Sequence, residues 1–260
     1  MNHGIHKESK TRIVAIGGGA PPWDFGKGGT RPGITPISRE IIRLSGKKHP
    51  RLLFLPTALD DDGRYIKAME NHFGKRLGCR VRTLYLAKRK PGIVEIRREI
   101  FRSDILYVGG GNTLKMITRW KRLGVIRVLE EARRQGKVLS GVSAGAICWF
   151  RQGNSDSRKF KNPKAKLIKV TGLGFIRALA CPHYDADKDR KPQLKTMMKK
   201  TPGVAIAIDN CAALEVVGDQ CRAIASKPKA GVYRVFWKRG KYIREKVSRE
   251  WQPLDALLRK

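Results

Sequence analysis

Strand-sized apolar runs alternate with helical patterns over the first two thirds of the chain, at 12–16, 51–55, 81–86, 104–108 and 137–142. That alternation is the mark of βαβ units and constrains the chain to an α/β fold with a mostly parallel central sheet flanked by helices. The intervening helices have readable ends. Thr35 is placed to cap a helix that starts at Pro36 and carries Ile37, Ile41 and Leu44 inward, and Gly78 is placed to stop one that begins near Gly63. Two further helices are predicted over 112–123 and 125–135. From Val204 onward the strands crowd together, at 204–208, 213–217, 222–225 and 232–237, which predicts an antiparallel C-terminal extension of the sheet.

At 260 residues and 41% hydrophobic content the chain can bury a substantial core, and no repeat or linker divides it. One domain over 1–260 is expected, with 1–10 as a flexible polar tail. The longest apolar runs, 13–16 and 204–208, fall far short of the roughly 20 residues a membrane-spanning helix needs. The first twelve residues lack the apolar stretch of a signal peptide, so a cytoplasmic location is expected. Five cysteines without a Cys-x-x-Cys pair indicate reduced thiols in or near the core rather than disulfides or a zinc site. Charge is lopsided: 56 Lys and Arg against 22 Asp and Glu, a formal +34. Such a surface attracts polyanions weakly and without specificity. The bases are spread along the chain, and neither a zinc-finger spacing nor an aromatic stacking signature accompanies them.

Gly141-Val142-Ser143-Ala144-Gly145 follows the strand at 137–142 and matches G-x-S-x-G, the nucleophile elbow in which small neighbours let a sharp turn lift a serine hydroxyl out of the sheet. Gly109-Gly110-Gly111-Asn112 follows the strand at 104–108 and opens a helix, so its amides face the carboxyl end of the sheet, where ligands bind. One such amide together with that of Ala144 could form an oxyanion hole, worth roughly 3 to 4 kcal/mol per donor in other enzymes. Asn112, which closes the cluster, is a substrate-binding candidate. Neither this cluster nor Gly17-Gly18-Gly19 completes a dinucleotide or phosphate-loop motif, so no cofactor is expected.

A general base must titrate near neutrality, and the chain has five histidines. His3 and His6 fall in the polar tail, while His49 and His72 sit among lysines and arginines and read as solvated surface residues. His183 follows an apolar run and is flanked by Tyr184 and Asp185, which puts it at a strand end.

Taken together, these blocks resemble the peptidase E family of serine peptidases, which includes aspartyl dipeptidases and cyanophycinases. The resemblance rests on Tyr107 to Leu114, Gly141 to Ala146, Gly172 to Phe175 followed by Pro182-His183-Tyr184, and Ala207-Ile208-Asp209 before Ala213-Leu214. It covers most of the chain. It implies a fold related to class I glutamine amidotransferases, a Ser143 nucleophile, a His183 base and an oxyanion hole near Gly110. The acid that orients the imidazole has three candidates. Asp156 comes first, in a polar loop resembling the one that supplies the acid in aspartyl dipeptidases; Asp209 and Asp185 follow.

The expected chemistry is attack by Ser143 on an amide carbonyl, proton transfer through His183 and hydrolysis of an acyl-enzyme, without metal or cofactor. By resemblance the substrate is a short peptide with an N-terminal aspartate, its carboxylate held by a cation for which Arg190 is the candidate. A homodimer is compatible with the sequence. Two other readings stay open: a general α/β-hydrolase esterase, although no histidine follows His183, and a non-catalytic basic protein associated with nucleic acid.

Overall fold

The computed structural model describes residues 11–19 and 33–260. The expected tail at 1–10, with His3 and His6, lies outside the described residues. β1 (Arg12–Ile16) is followed by α1 (Thr35–Leu44), β2 (Arg51–Leu55), α2 (Gly63–Met69) with a π-helical continuation over Glu70–Arg76, β3 (Arg80–Thr83), α3 (Ile93–Arg102), β4 (Ile105–Val108), α4 (Thr113–Arg122), α5 (Val125–Arg134) and β5 (Val138–Val142). The five strands run parallel in the order β1-β5-β4-β2-β3. A short α6 (Ala144–Ile147) leads into β6 (Phe150–Ser155), β7 (Ile168–Thr171), β8 (Ile176–Cys181), α7 (Arg190–Lys199), β9 (Ala205–Ile208), β10 (Ala212–Val217), β11 (Gln220–Ala225), β12 (Val232–Lys238), β13 (Lys241–Lys246), β14 (Gln252–Pro253) and α8 (Leu254–Leu258).

The expected antiparallel extension is present, but only part of the C-terminal third builds it. β10, β11 and β14 continue the first sheet beyond β1. β9 and β12 instead join a second sheet, ordered β13-β12-β9-β8-β6-β7. The chain changes sheets at Asp209 to Cys211, where Cys211 adopts φ 63° and its amide donates to Gly18 O. Apolar patterning marks a strand but not its partner, and β9 finds its partner in the parallel β8.

Helix positions follow from burial periodicity. In α5, Val125, Val128, Leu129 and Ala132 share one face and are buried. α1 starts one residue before the expected Pro36, behind Ile34, and Thr35 does not cap it; the proline in its first turn sets the start. In α2 the Asp62 carboxylate accepts from the Arg64 and Tyr65 amides at 3.0 Å each.

Three apolar clusters hold these layers. Val14, Ile16, Phe54 and Tyr107 face α1 and α2 with Ile37, Ile41 and Phe73. Ile13, Leu53 and Leu106 face the opposite way, toward α3, α4, α5 and the inner side of the second sheet, where Trp149, Phe150, Ala178 and Ile206 complete one continuous cluster. Leu194 and Met198 of α7 cover the outer side of the second sheet over Leu179, Ala205 and Val235. Each such fully buried aliphatic or aromatic side chain contributes roughly 1.5 to 3 kcal/mol. All five cysteines are buried and unpaired with one another. His72, expected at the surface, is buried within the π-helical turn, where its Nε2 lies 2.9 Å from Ser38 Oγ and its ring packs edge-on against Phe73. The extra residue of that turn rotates it inward, which a regular helical projection does not anticipate. No helix among the described residues is long and apolar enough to cross a membrane.

Candidate active site

β5 ends at Val142, and the chain turns sharply into α6 with Ser143 at φ 56° and ψ −111°. A left-handed φ is uncommon for a residue with a side chain and stores strain. The turn is allowed because Gly141 and Gly145, two residues to either side, have no Cβ: one added at Gly145 would come 2.1 Å from Val108 O. The Ser143 amide donates to Ile16 O at 3.0 Å, tying the elbow to β1. The hydroxyl is thereby raised at the carboxyl end of the parallel strands, and the amide of Ala144 begins a helix, where N–H groups lack intrahelical acceptors.

His183 follows β8 and Pro182, also with positive φ (53°), and its amide donates to Gly17 O at 3.1 Å. Its Nε2 lies 2.8 Å from Ser143 Oγ, and its Nδ1 lies 2.8 Å from Asn210 Oδ1. With the amide oxygen facing it, Nδ1 carries the proton and Nε2 is left to accept the serine proton. Burial lowers the His183 pKa from its ordinary value, the Arg190 charge lowers it further, and Asn210, Asp156 and Asp187 oppose the shift. The neutral, basic imidazole is the favoured form.

None of the three acids considered from sequence reaches this ring. The Asp156 carboxylate pairs with Arg190 Nη2 at 3.2 Å, and Asp187 holds Arg190 Nε at 3.1 Å. Asp209 Oδ2 accepts the Gly231 amide at 3.0 Å, bracing β9 against β12. Asp185 Oδ1 accepts the Asn210 amide at 2.7 Å. The carboxylate nearest in the bonding chain is therefore one residue removed, behind Asn210.

Arg190 is not positioned to receive a substrate carboxylate. It is 1% exposed, and its guanidinium also donates to Asn154 O and Oδ1 at 2.6 and 3.2 Å. A buried guanidinium must be compensated in this way, and its charge is spent on Asp156 and Asp187. Asn112 likewise has an internal role: its Oδ1 caps α4 through the Lys115 amide at 3.0 Å, and its Nδ2 donates to Ser157 O at 3.1 Å. Gly110 does stand beside Ser143, with a notional Cβ 3.4 Å from Ser143 Cβ, but its N–H donates to Tyr65 Oη at 3.1 Å. Burial raises the Tyr65 phenol well above its ordinary pKa, so it remains protonated.

Ser143 and His183 open into a cavity of about 410 Å³ whose walls include Gly18, Gly19, Asp62, Arg64, Tyr65 and Gly110. Among the described residues, no group of three or more His, Cys, Asp or Glu is arranged to hold a metal ion.

The description "Peptidase family S51" matches residues 25–224. The chain belongs to peptidase family S51. This S51 chain is 35% identical over 227 residues to "Uncharacterized peptidase YgaJ" of Bacillus subtilis, covering 86% of itself and 92% of that protein. It is 29% identical over 160 residues to "Uncharacterized peptidase Lmo0363" of Listeria monocytogenes, covering 58% and 73%. Its fold is similar to that of a crystallised peptidase from an acI-B1 Actinobacterium (TM-score 0.70, 17% identity, 95% and 98% coverage). A putative peptidase E protein from Listeria monocytogenes shares it too (TM-score 0.61, 20% identity, 83% and 98% coverage).

Several residues of the S51 site escape a reading by motif. Asp62, Arg64 and Tyr65 come together from the start of α2 and Asn210 from the turn after β9, and they carry no local signature. Gly17-Gly18-Gly19 was legible, but for a different purpose than a phosphate loop. A Cβ at Gly18 would come 2.0 Å from Asn210 Oδ1 and 2.4 Å from His183 Nδ1, so glycine is what lets the imidazole and the amide meet there.

Proposed function

We propose that this S51 peptidase is a serine-type enzyme that hydrolyses amide bonds of short peptides, with Ser143 as nucleophile and His183 as base. One observation carries the reading: Ser143 Oγ lies 2.8 Å from His183 Nε2, on a strained elbow opening into a cavity, while Asn210 holds the other ring nitrogen. His183 takes the hydroxyl proton as Ser143 attacks the carbonyl carbon, then delivers it to the leaving amine, and water hydrolyses the acyl-enzyme through the same base. The Ala144 amide, at the start of α6, faces the developing oxyanion; Gly110 and the Tyr65 hydroxyl bound to it border the same space. No metal or organic cofactor enters these steps. Asn210 takes the orienting place of the triad, as in serine and cysteine hydrolases whose third member is an amide or acid. Asp156 acts on His183 through the field, countered by Arg190.

For a substrate with an N-terminal aspartate, the cation that lines the cavity among the described residues is Arg64 rather than Arg190, and the neighbouring Asp62 carboxylate suits an α-ammonium group. The test is labelling by a fluorophosphonate together with turnover of a dipeptide-amide panel. Ser143→Ala is expected to abolish both, and His183→Ala to lower both at least about a thousandfold. Full labelling of the Ser143→Ala protein would overturn the nucleophile assignment. Equal rates for Asp and Leu peptides would remove the aspartyl preference and leave the hydrolase.

A further inference from the structure

Next to the Ser143 cavity, and sharing the side chain of Leu59 with it, lies a larger depression of about 1090 Å³. Its rim is cationic: Lys115, Arg158, Lys161 and Lys166 line it. Among the described residues the carboxylate on the rim is Asp60, and Lys115 already pairs with it at 2.6 Å. Among the described residues no carboxylate forms an ion pair with Arg158, Lys161 or Lys166, and all three are exposed. Two large apolar side chains stand open on the same surface, Phe160 at 54% and Leu114 at 49% exposure. The start of α4 is not what a ligand would meet here, because the Leu114 amide donates to Ser157 Oγ and the Lys115 amide to Asn112 Oδ1, both at 3.0 Å. Recognition in this groove therefore falls to side-chain cations and to two apolar surfaces.

We propose that this groove binds an acidic segment of a peptide whose scissile bond lies at Ser143, so that the enzyme takes substrates longer than a dipeptide and reads carboxylates away from the cleavage point. The proposal rests on the reading of Ser143 as nucleophile only for where the scissile bond sits; the binding itself is separable from it. Charge complementarity names the partner: three cations without carboxylate partners would be neutralised by Asp or Glu side chains, while Leu114 and Phe160 take the apolar residues between them. Continuity through Leu59 joins the groove to the cavity where an amide bond would be cleaved. A nucleic-acid strand fits less well, since among the described residues Phe160 is the one aromatic ring lining the groove and successive bases need successive stacking platforms.

The test is fluorescence anisotropy with Ser143→Ala protein at physiological salt, using a labelled hexapeptide of alternating Glu and Leu, the matched Gln and Leu peptide, and a labelled single-stranded oligonucleotide. The acidic peptide is expected to bind at least tenfold more tightly than its Gln counterpart. The combined reversal Arg158→Glu, Lys161→Glu and Lys166→Glu is expected to abolish that preference, and the neutral set with Gln at the same positions to reduce it. A control with Lys229→Glu, Lys238→Glu and Lys241→Glu carries the same change of net charge on exposed positions away from the groove, and should keep the preference. Equal losses in both reversals would overturn the proposal in favour of the overall +34 field. Groove-dependent binding of the oligonucleotide with none of the acidic peptide would overturn it in favour of nucleic acid. Fluorophosphonate labelling of the wild type is read separately: peptide binding without labelling leaves the groove and removes the nucleophile, and labelling without peptide binding does the reverse.

Discussion

Asn210 Oδ1 stands 2.8 Å from His183 Nδ1, where a charged triad would present a carboxylate. An amide can fix the tautomer and the ring orientation, but it adds no negative charge to stabilise the imidazolium that forms during attack. Asn210→Ala is therefore expected to lower kcat by about tenfold to a hundredfold, less than the roughly 10⁴-fold that disabling a triad aspartate costs. Asn210→Asp should raise the His183 pKa by placing a carboxylate against the ring. Steady-state kinetics on both variants checks this, and unchanged kcat in Asn210→Ala would remove Asn210 from the mechanism.

The ion cluster behind His183 predicts pH shifts of opposite sign. Attack requires neutral imidazole, whose pKa is lowered, so the wild-type rate should fall as pH drops through a midpoint below the ordinary histidine value of about 6.5. Arg190 lowers that pKa and Asp156 raises it. Arg190→Gln should move the acid limb of kcat/KM upward, and Asp156→Asn should move it downward. Because Arg190 is buried among four acceptors, its variant is also expected to lose stability, so the profile is taken where circular dichroism shows it folded. Shifts in the same direction would contradict this electrostatic arrangement.

Gly18→Ala tests the close approach at Gly17-Gly18-Gly19. Its methyl would meet His183 and Asn210 at 2.0 to 2.5 Å, so one of them must move. Turnover is expected to fall by about a hundredfold or more, since a displacement near 1 Å in a reacting constellation costs that much. The melting temperature should change far less than the rate. A variant with wild-type kinetics would show that the imidazole needs no such contact.

His72 gives a prediction for stability. Burial lowers its pKa from 6.5 to about 4, with the Arg76 charge lowering it further. The unfolded chain then binds the proton more readily than the folded one, so the contribution is fully present above about pH 6.5 and is lost as pH falls toward 4. Glu215, raised to about 7 chiefly by burial, runs the other way, because the folded state binds its proton first as pH falls. Comparison of wild type with His72→Asn isolates the histidine: by urea unfolding, the variant should lose less stability between about pH 7 and pH 5. Parallel losses in the two proteins would show that His72 is protonated as easily in the fold as out of it.

The local determinants were in the sequence. Alternating apolar runs sufficed for β1, β2, β4 and β5 and for the parallel sheet, because burial on both faces leaves a continuous apolar signature over each strand. The elbow at Ser143 was legible because a close backbone approach admits only small residues, and those residues are contiguous. His183 was legible as the histidine at the end of an apolar run. Other features had no local counterpart. The second sheet depends on β9 choosing β8, a pairing decided by the turn at Cys211 and by packing across the core. The group facing His183 Nδ1 was decided by the same turn, which carries Asn210 under Gly18, while Asp156 was drawn to a buried guanidinium that had to be neutralised. Patterns of neighbouring residues encode strands, turns and small-residue elbows; the partner of a side chain that meets residues tens of positions away is set only when the whole chain has packed and each buried charge has found its counterion.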